Sequence, residues 1–265
     1  MRERLFITGD TGSGKTRAAF SVIERVLSDT DKNVWYIACD DGHSRFLPRV
    51  NEYKVVNRFN DYSTPHWIDF RDAYRTVRHL WQDGDWIVLD RVDLAWESIR
   101  EYFGAAAYQV SEDELDDFFL QKRMKDRVDK GLEKARKDIT VTDYNQLDWS
   151  LMKSSYKGVV FDATAGAQAV DKKINVICTS LALPSSGLER DGDVRALRGF
   201  GMTVQGEKNV PSWFDTHILL TLEPNGYNMY TVKDRERQKA FKVQVPEKGG
   251  FVDAYMGATA VSLVV

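Results

Sequence analysis

The sequence predicts an α/β fold: a mostly parallel central sheet flanked by helices, with antiparallel strands toward the C-terminus and a helical insertion. Three observations lead there. Apolar, β-branched runs alternate with stretches of helical period through the first part of the chain. The glycine-rich segment Gly9-Asp10-Thr11-Gly12-Ser13-Gly14-Lys15-Thr16 joins the first run to the first helical stretch. The last three runs are spaced as hairpins.

Taken in order, the strand-like runs are Leu5–Thr8, Val34–Cys39, Val55–Phe59, Trp86–Leu89, Val176–Leu181, His217–Leu222, Tyr227–Val232 and Phe241–Val245. Helical patterns at Thr16 to Leu27 and Phe70 to Trp81 separate the early ones, which is the alternation of a parallel sheet. Pro224-Asn225-Gly226 is a turn, and the stretch around Gln238 links the final pair, so an antiparallel extension follows. Between Val92 and Gly166 no strand signal occurs. Ser111-Glu112-Asp113-Glu114 has the form of a capping box, Ser111 as N-cap and Glu114 at N3, ahead of apolar Leu115, Phe118, Phe119, Val128 and Leu132. Its charges, such as Lys122, Arg123, Lys125, Asp126 and Arg127, read as a solvated face, and Trp149, Met152 and Tyr156 as packing.

The length of 265 residues suits one α/β domain over 1–265, carrying a helical insertion at about 92–166 and a mobile loop at about 184–210. Thirty-seven basic and 40 acidic residues leave a net charge of −3, so nucleic acid could be met only through a local patch. Cys39 and Cys178 each fall in an apolar run, which predicts buried thiols in a reducing compartment. The chain opens on Met-Arg-Glu-Arg without a signal-peptide core and has no run of about 18 apolar residues. No membrane association and a cytoplasmic location are the expectation.

Gly9–Thr16 completes G-x-x-x-x-G-K-[ST], a phosphate-binding loop. A strand feeding a glycine turn points backbone N–H groups into one concavity at the positive end of a helix. Lys15 then reaches the β- and γ-phosphates and the Thr16 hydroxyl takes one position on Mg²⁺. Asp90 ends the run Asp85-Trp86-Ile87-Val88-Leu89-Asp90 and is the second metal residue, a Walker B element. Its strand is expected beside that of the phosphate loop. The next residue is Arg91, where many ATPases with an additional central strand place a catalytic Glu. The water-positioning carboxylate is therefore sought at the end of the second strand, with Asp40 first and Asp41 as the fallback. Thr179 or Ser180, at the end of Asn175–Ser180, is the candidate sensor of the γ-phosphate.

Together these residues resemble RecA-like P-loop ATPases, and more narrowly the small phage-encoded RecA-like proteins of the Sak single-strand annealing group. The resemblance rests on Gly9–Thr16, Asp40, Ile87–Asp90, Thr179–Ser180, Phe214-Asp215-Thr216 and Thr231-Val232-Lys233-Asp234-Arg235. Asp replaces Glu at position 40, and the helical span is longer than a minimal core needs. The resemblance implies ATP and Mg²⁺, hydrolysis, a homo-oligomer, single-stranded DNA and a single-strand-binding protein as partners, and the host cytoplasm as location. Lys233 and Arg235 resemble the K-x-R pair by which RecA- and KaiC-like rings reach a neighbour's nucleotide. The stretch from Pro184 to Val210 follows the sensor strand, where RecA-like proteins carry a DNA-binding loop. It offers Arg190, Arg195, Arg198 and Lys208, with Phe200 to stack on a base, diluted by Glu189, Asp191, Asp193 and Glu207. Alternatives are a loop that closes over nucleotide, a nucleotide-dependent switch binding protein through the 92–166 helices, and a small-molecule kinase.

Overall fold

The computed structural model describes residues 2–48, 59–64, 66–130, 146–187, 193–197, 199–235, 240–246 and 250–259. Ten strands build the sheet: β1 (Arg4–Gly9), β2 (Val34–Ala38), β3 (Phe59–Ser63), β4 (Trp86–Asp90), β5 (Asn175–Pro184), β6 (Ala196–Leu197), β7 (Met202–Val204), β8 (Thr216–Glu223), β9 (Gly226–Asp234) and β10 (Lys242–Gln244). The order across the sheet is β10-β9-β8-β1-β5-β4-β2-β3, with β6 and β7 hanging from β5. From β8 to β3 neighbours are parallel, and β9 and β10 add antiparallel strands. This is the expected mostly parallel α/β sheet with an antiparallel C-terminal edge.

Strand alternation explains how both faces are filled. Leu5, Ile7, Tyr36, Val88 and Ile177 point to one face, and Phe6, Ile37, Leu89 and Cys178 to the other. The first face is covered by α1 (Lys15–Asp29), whose Ala18, Ala19, Val22, Ile23, Val26 and Leu27 recur at helical spacing, and by α8 (Gly250–Thr259) through Phe251, Val252 and Tyr255. The second carries α2 (Trp67–Leu80) and α3 (Val92–Tyr108), with α5 (Gln146–Lys157), α6 (Val160–Ala165) and α7 (Ala167–Asp171). Trp67, Tyr74 and Tyr156 are fully buried there, and the Tyr156 hydroxyl donates to Val92 O at 2.8 Å. Helix α4 (Leu115–Lys130) follows α3. Its start realises half of the capping box, because Glu114 accepts from the Ser111 N–H at 3.2 Å and the Ser111 hydroxyl at 2.8 Å.

A polar clamp holds the end of the sheet remote from the phosphate loop. Fully buried Asp85 accepts from Asn33 N at 3.1 Å, Trp35 Nε1 at 3.0 Å and Gln82 N at 3.0 Å, which ties β2 to β4. Both cysteines are buried with free thiols. No helix among the described residues is long and apolar enough to cross a membrane.

Two expectations meet the described residues only in part, and one is corrected. Of the expected strand Val55–Phe59, 55–58 lie outside the described residues, and a strand is present over Phe59–Ser63. The span expected as a mobile loop contains, in its described part, the antiparallel strands β6 and β7, paired with Ala182–Pro184 at the end of β5. Finally, β4 does not neighbour β1. β5 lies between them, pairing with β1 on one side and β4 on the other. One added strand thus stands between the phosphate-loop strand and the strand of Asp90.

Candidate active site

The loop after β1 is shaped by steric limits on its glycines. A Cβ on Gly9 would meet Leu220 O at 2.3 Å and Ser13 Oγ at 2.4 Å, while Gly12 and Gly14 sit at φ 78° and 89°. Helix α1 begins directly at Lys15, with Ala18 N bonded to Gly14 O at 2.8 Å. The Lys15 ammonium folds back onto Gly9 O at 3.0 Å and Asp10 O at 2.9 Å. Burial, then the positive charge of Arg91, lowers its pKa. Asp10 accepts from Thr11 N at 2.6 Å. The Ser13 hydroxyl is buried and has no partner among the described residues. An orphaned hydroxyl and an ammonium held only by its own loop's carbonyls suit an incoming polyphosphate.

Across β5 the carboxylate of Asp90 meets the loop. Asp90 is fully buried, and its Oδ2 accepts from Thr16 Oγ1 at 3.2 Å and from the Tyr36 hydroxyl, while Oδ1 accepts from Thr179 Oγ1. Burial raises the Asp90 pKa, against the pull of these hydroxyl donors. Three hydroxyls from α1, β2 and β5 therefore converge on one carboxylate. Among the described residues no three His, Cys, Asp or Glu side chains form a metal cluster. A divalent ion at Thr16 and Asp90 would thus complete its shell from phosphate and water, which is how Mg²⁺ is ordinarily held.

Of the two sensor candidates, Thr179 joins the site. Its Oγ1 also accepts the Arg91 N–H at 2.8 Å, whereas Ser180 Oγ donates to Gln205 O at 3.1 Å on the segment leaving β7. Asp40 lies just beyond β2. One carboxylate oxygen accepts from Gly42 N at 3.0 Å, and the other is 3.6 Å from Arg91 Nη1. Asp41 is exposed beside it.

Sequence reasoning missed Tyr36 and the nucleoside-sized cavity beside the loop. The cavity, of about 550 Å³, lies between Arg17, Tyr227, Asn225, Gln244 and Phe251. A Cβ on Gly14 would stand 3.5 Å from the Tyr227 ring. The Asn225-Gly226 turn was visible in the sequence, but its position over Gly14 depends on β8 pairing with β1, which local patterns do not encode.

Lys233 and Arg235 are far from their own loop. Lys233 pairs with His217, which pairs with Phe6, so the end of β9 lies at the opposite end of β1 from Gly9, about 10–13 Å away at ~3.3 Å per residue. Lys233 donates to Pro211 O at 2.9 Å, Ser212 O at 3.4 Å and Phe214 O, and burial lowers its pKa to about 8. Arg235 is exposed. At the hairpin, Arg195 is bound to Asp193 at 3.0 Å and Phe200 packs edge-on to Tyr230 at 5.1 Å, while Lys208, beyond β7, is exposed. Arg190 and Arg198 lie outside the described residues.

No protein-family model matches the chain, and no curated protein matches it. Among solved structures it is similar to a KaiC-like protein, PH0186, from the archaeon Pyrococcus horikoshii OT3, with 12% identity, 90% of this chain and 82% of that chain covered, and a TM-score of 0.43. It is also similar to a DnaB-like replicative helicase, with 11% identity, 94% of this chain covered and a TM-score of 0.48. The chain spans 56% of that helicase. At these identities and scores, the fold class, a mostly parallel α/β sheet with a phosphate loop, rests on the chain's own strand order and sequence.

Proposed function

We propose that this protein is a Mg²⁺-dependent ATPase that works as an oligomer on single-stranded DNA, in recombination or annealing of the phage Sak type. The observation that carries the ATPase reading is the meeting of Thr16 and Asp90 at 3.2 Å across an intervening strand, at the mouth of a complete phosphate loop. Two segments 74 residues apart supply the hydroxyl and the carboxylate that a Mg-triphosphate needs.

The chain's residues divide the work. Lys15 exchanges its carbonyl partners for phosphate oxygens, and the N-terminus of α1 faces the same negative charge. Thr16 and Asp90 would hold Mg²⁺, which would offset negative charge on a bound triphosphate. Asp40 orients water for in-line attack and accepts its proton. Thr179 spans Asp90 and the Arg91 backbone, and its strand runs on to Pro184, where β7 pairs. This continuity supports a link between phosphate state and the β6–β7 hairpin, whose exposed Phe200, together with exposed Lys208 beyond β7, would contact DNA. Exposed Arg235, remote from its own loop, supports completion of a neighbour's site in an oligomer.

The test is steady-state phosphate release with and without single-stranded DNA, alongside mass measurement of the assembly. Stimulation by DNA in an oligomer is expected. Turnover that DNA leaves unchanged, with nucleotide-dependent capture of a protein, contradicts the DNA role and favours a protein-binding switch.

A further inference from the structure

Arg91 stands where a catalytic acid is commonplace, and the structure gives it an unusual setting. Its backbone is left-handed, φ 69° and ψ 58°, a region that strains any residue with a side chain. Several bonds fix that conformation. The Arg91 N–H donates to Thr179 Oγ1 at 2.8 Å, and its carbonyl accepts from Leu94 N at 3.0 Å as α3 begins. One edge of the guanidinium is committed: Nε and Nη2 bind Asp93 at 3.2 and 2.8 Å, and Asp93 is fully buried. The other edge reaches out. Nη1 lies 3.6 Å from Asp40 Oδ2, with both side chains partly exposed, 22% and 29%.

The group is thus a rigid fork with one anchored and one available edge. Asp40 sits at the carboxyl end of β2, and Arg91 immediately follows Asp90 at the same end of the sheet. Thr179 binds both the Arg91 N–H and Asp90, and Asp90 accepts from Thr16 next to Lys15, so Arg91 and the phosphate loop meet around one carboxylate. At 3.6 Å the pair with Asp40 is loose, and a polyphosphate anion there competes for the same Nη1 edge.

We propose that Arg91 is an in-chain switch. Without nucleotide its Nη1 edge pairs with Asp40, and the terminal phosphate of a nucleoside triphosphate takes that edge, releasing Asp40 to orient water. This rests on the triphosphate reading above. A diphosphate lacks the competing group and leaves the Arg91–Asp40 pair in place. Hydrolysis then awaits the correct ligand, because the carboxylate is held until a terminal phosphate arrives. Arg91 is a positioning residue, and its signature is thermodynamic coupling to Asp40.

The test is calorimetric titration of the full chain with Mg-ATPγS and with Mg-ADP. Asp40→Asn, which removes the competitor, is expected to tighten ATPγS about 3- to 10-fold and leave ADP unchanged. Arg91→Gly fits the left-handed backbone, and combining it with Asp93→Asn avoids a buried unpaired carboxylate. In that background the preference for ATPγS over ADP is expected to fall about 10-fold, and adding Asp40→Asn to have no further effect. Arg91→Lys keeps the charge without the fork and is expected to lose the same preference. Should the double variant fail to fold, Arg91→Lys with and without Asp40→Asn runs the same cycle. An Asp40→Asn effect that persists without Arg91, or its absence in the parent chain, overturns the switch. If the parent chain binds neither nucleotide, the triphosphate reading falls and the switch falls with it.

Discussion

Replacing Thr179 with Val keeps the shape of the side chain and removes the hydroxyl that joins Asp90 to the Arg91 backbone. Two losses follow. Asp90 gives up one of its three hydroxyl donors, and a hydrogen bond to a charged group contributes ~1.5–3 kcal/mol. The part-buried Arg91 N–H loses its acceptor in a conformation that already carries strain. The expected loss of stability is about 3 kcal/mol near neutral pH, or roughly 6–10 °C in Tm for a chain of this size. The deficit depends on pH, with a definite sign. Burial raises the Asp90 pKa above 3.8, so between the unfolded and folded values the native state binds more protons and stability falls as pH rises. Losing the Thr179 donor pushes the folded pKa higher and extends that window upward. Urea denaturation across the acid-to-neutral range should therefore show a deficit that grows with pH as Asp90 ionises. A deficit that is constant across that range, or below about 1 kcal/mol throughout, refutes the reasoning.

Tyr227→Ala opens the cavity beside Gly14 and should weaken ATP binding about 10-fold, while leaving inorganic triphosphate within about 2-fold. Calorimetry with both ligands checks this, and equal weakening of the two would place the effect in the loop instead. Arg235→Ala should lower turnover ~10²-fold or more, and turnover per protomer of the parent chain should rise with protein concentration as subunits assemble. A variant that turns over normally, or a parent rate independent of concentration, removes the in-trans role.

The parts of the fold that follow from local pattern were legible. The Leu5–Thr8 strand, the glycine loop and the helix after it are encoded by contiguous residues, as is the hairpin at Pro224-Asn225-Gly226, where Glu223 and Gly226 pair across a tight turn. Strand order was less accessible. Nothing near Asp90 announces that the strand carrying Thr179, 89 residues later, will separate it from the phosphate loop, yet that insertion brings Thr179 to its carboxylate. Strands β6 and β7 escaped because two or three residues carry no measurable alternation and depend on pairing with the end of β5. Tyr36 lies within the strand-like run Val34–Cys39, and only the fold reveals that its hydroxyl meets Asp90. Lys233 read as a reaching cation, whereas its ammonium binds carbonyls at the turn preceding β8.

The central claim is that the loop at Lys15 and the carboxylate of Asp90 form one Mg-triphosphate site. The most direct measurement is Mg²⁺-dependent phosphate release from ATP by the parent chain, Lys15→Ala and Asp90→Asn, with folding of each verified by circular dichroism. The expected result is release by the parent that chelating Mg²⁺ abolishes, and a fall of about 10²-fold or more in both folded variants. A parent chain that releases no phosphate, or folded variants that release it at the parent rate, contradicts the account.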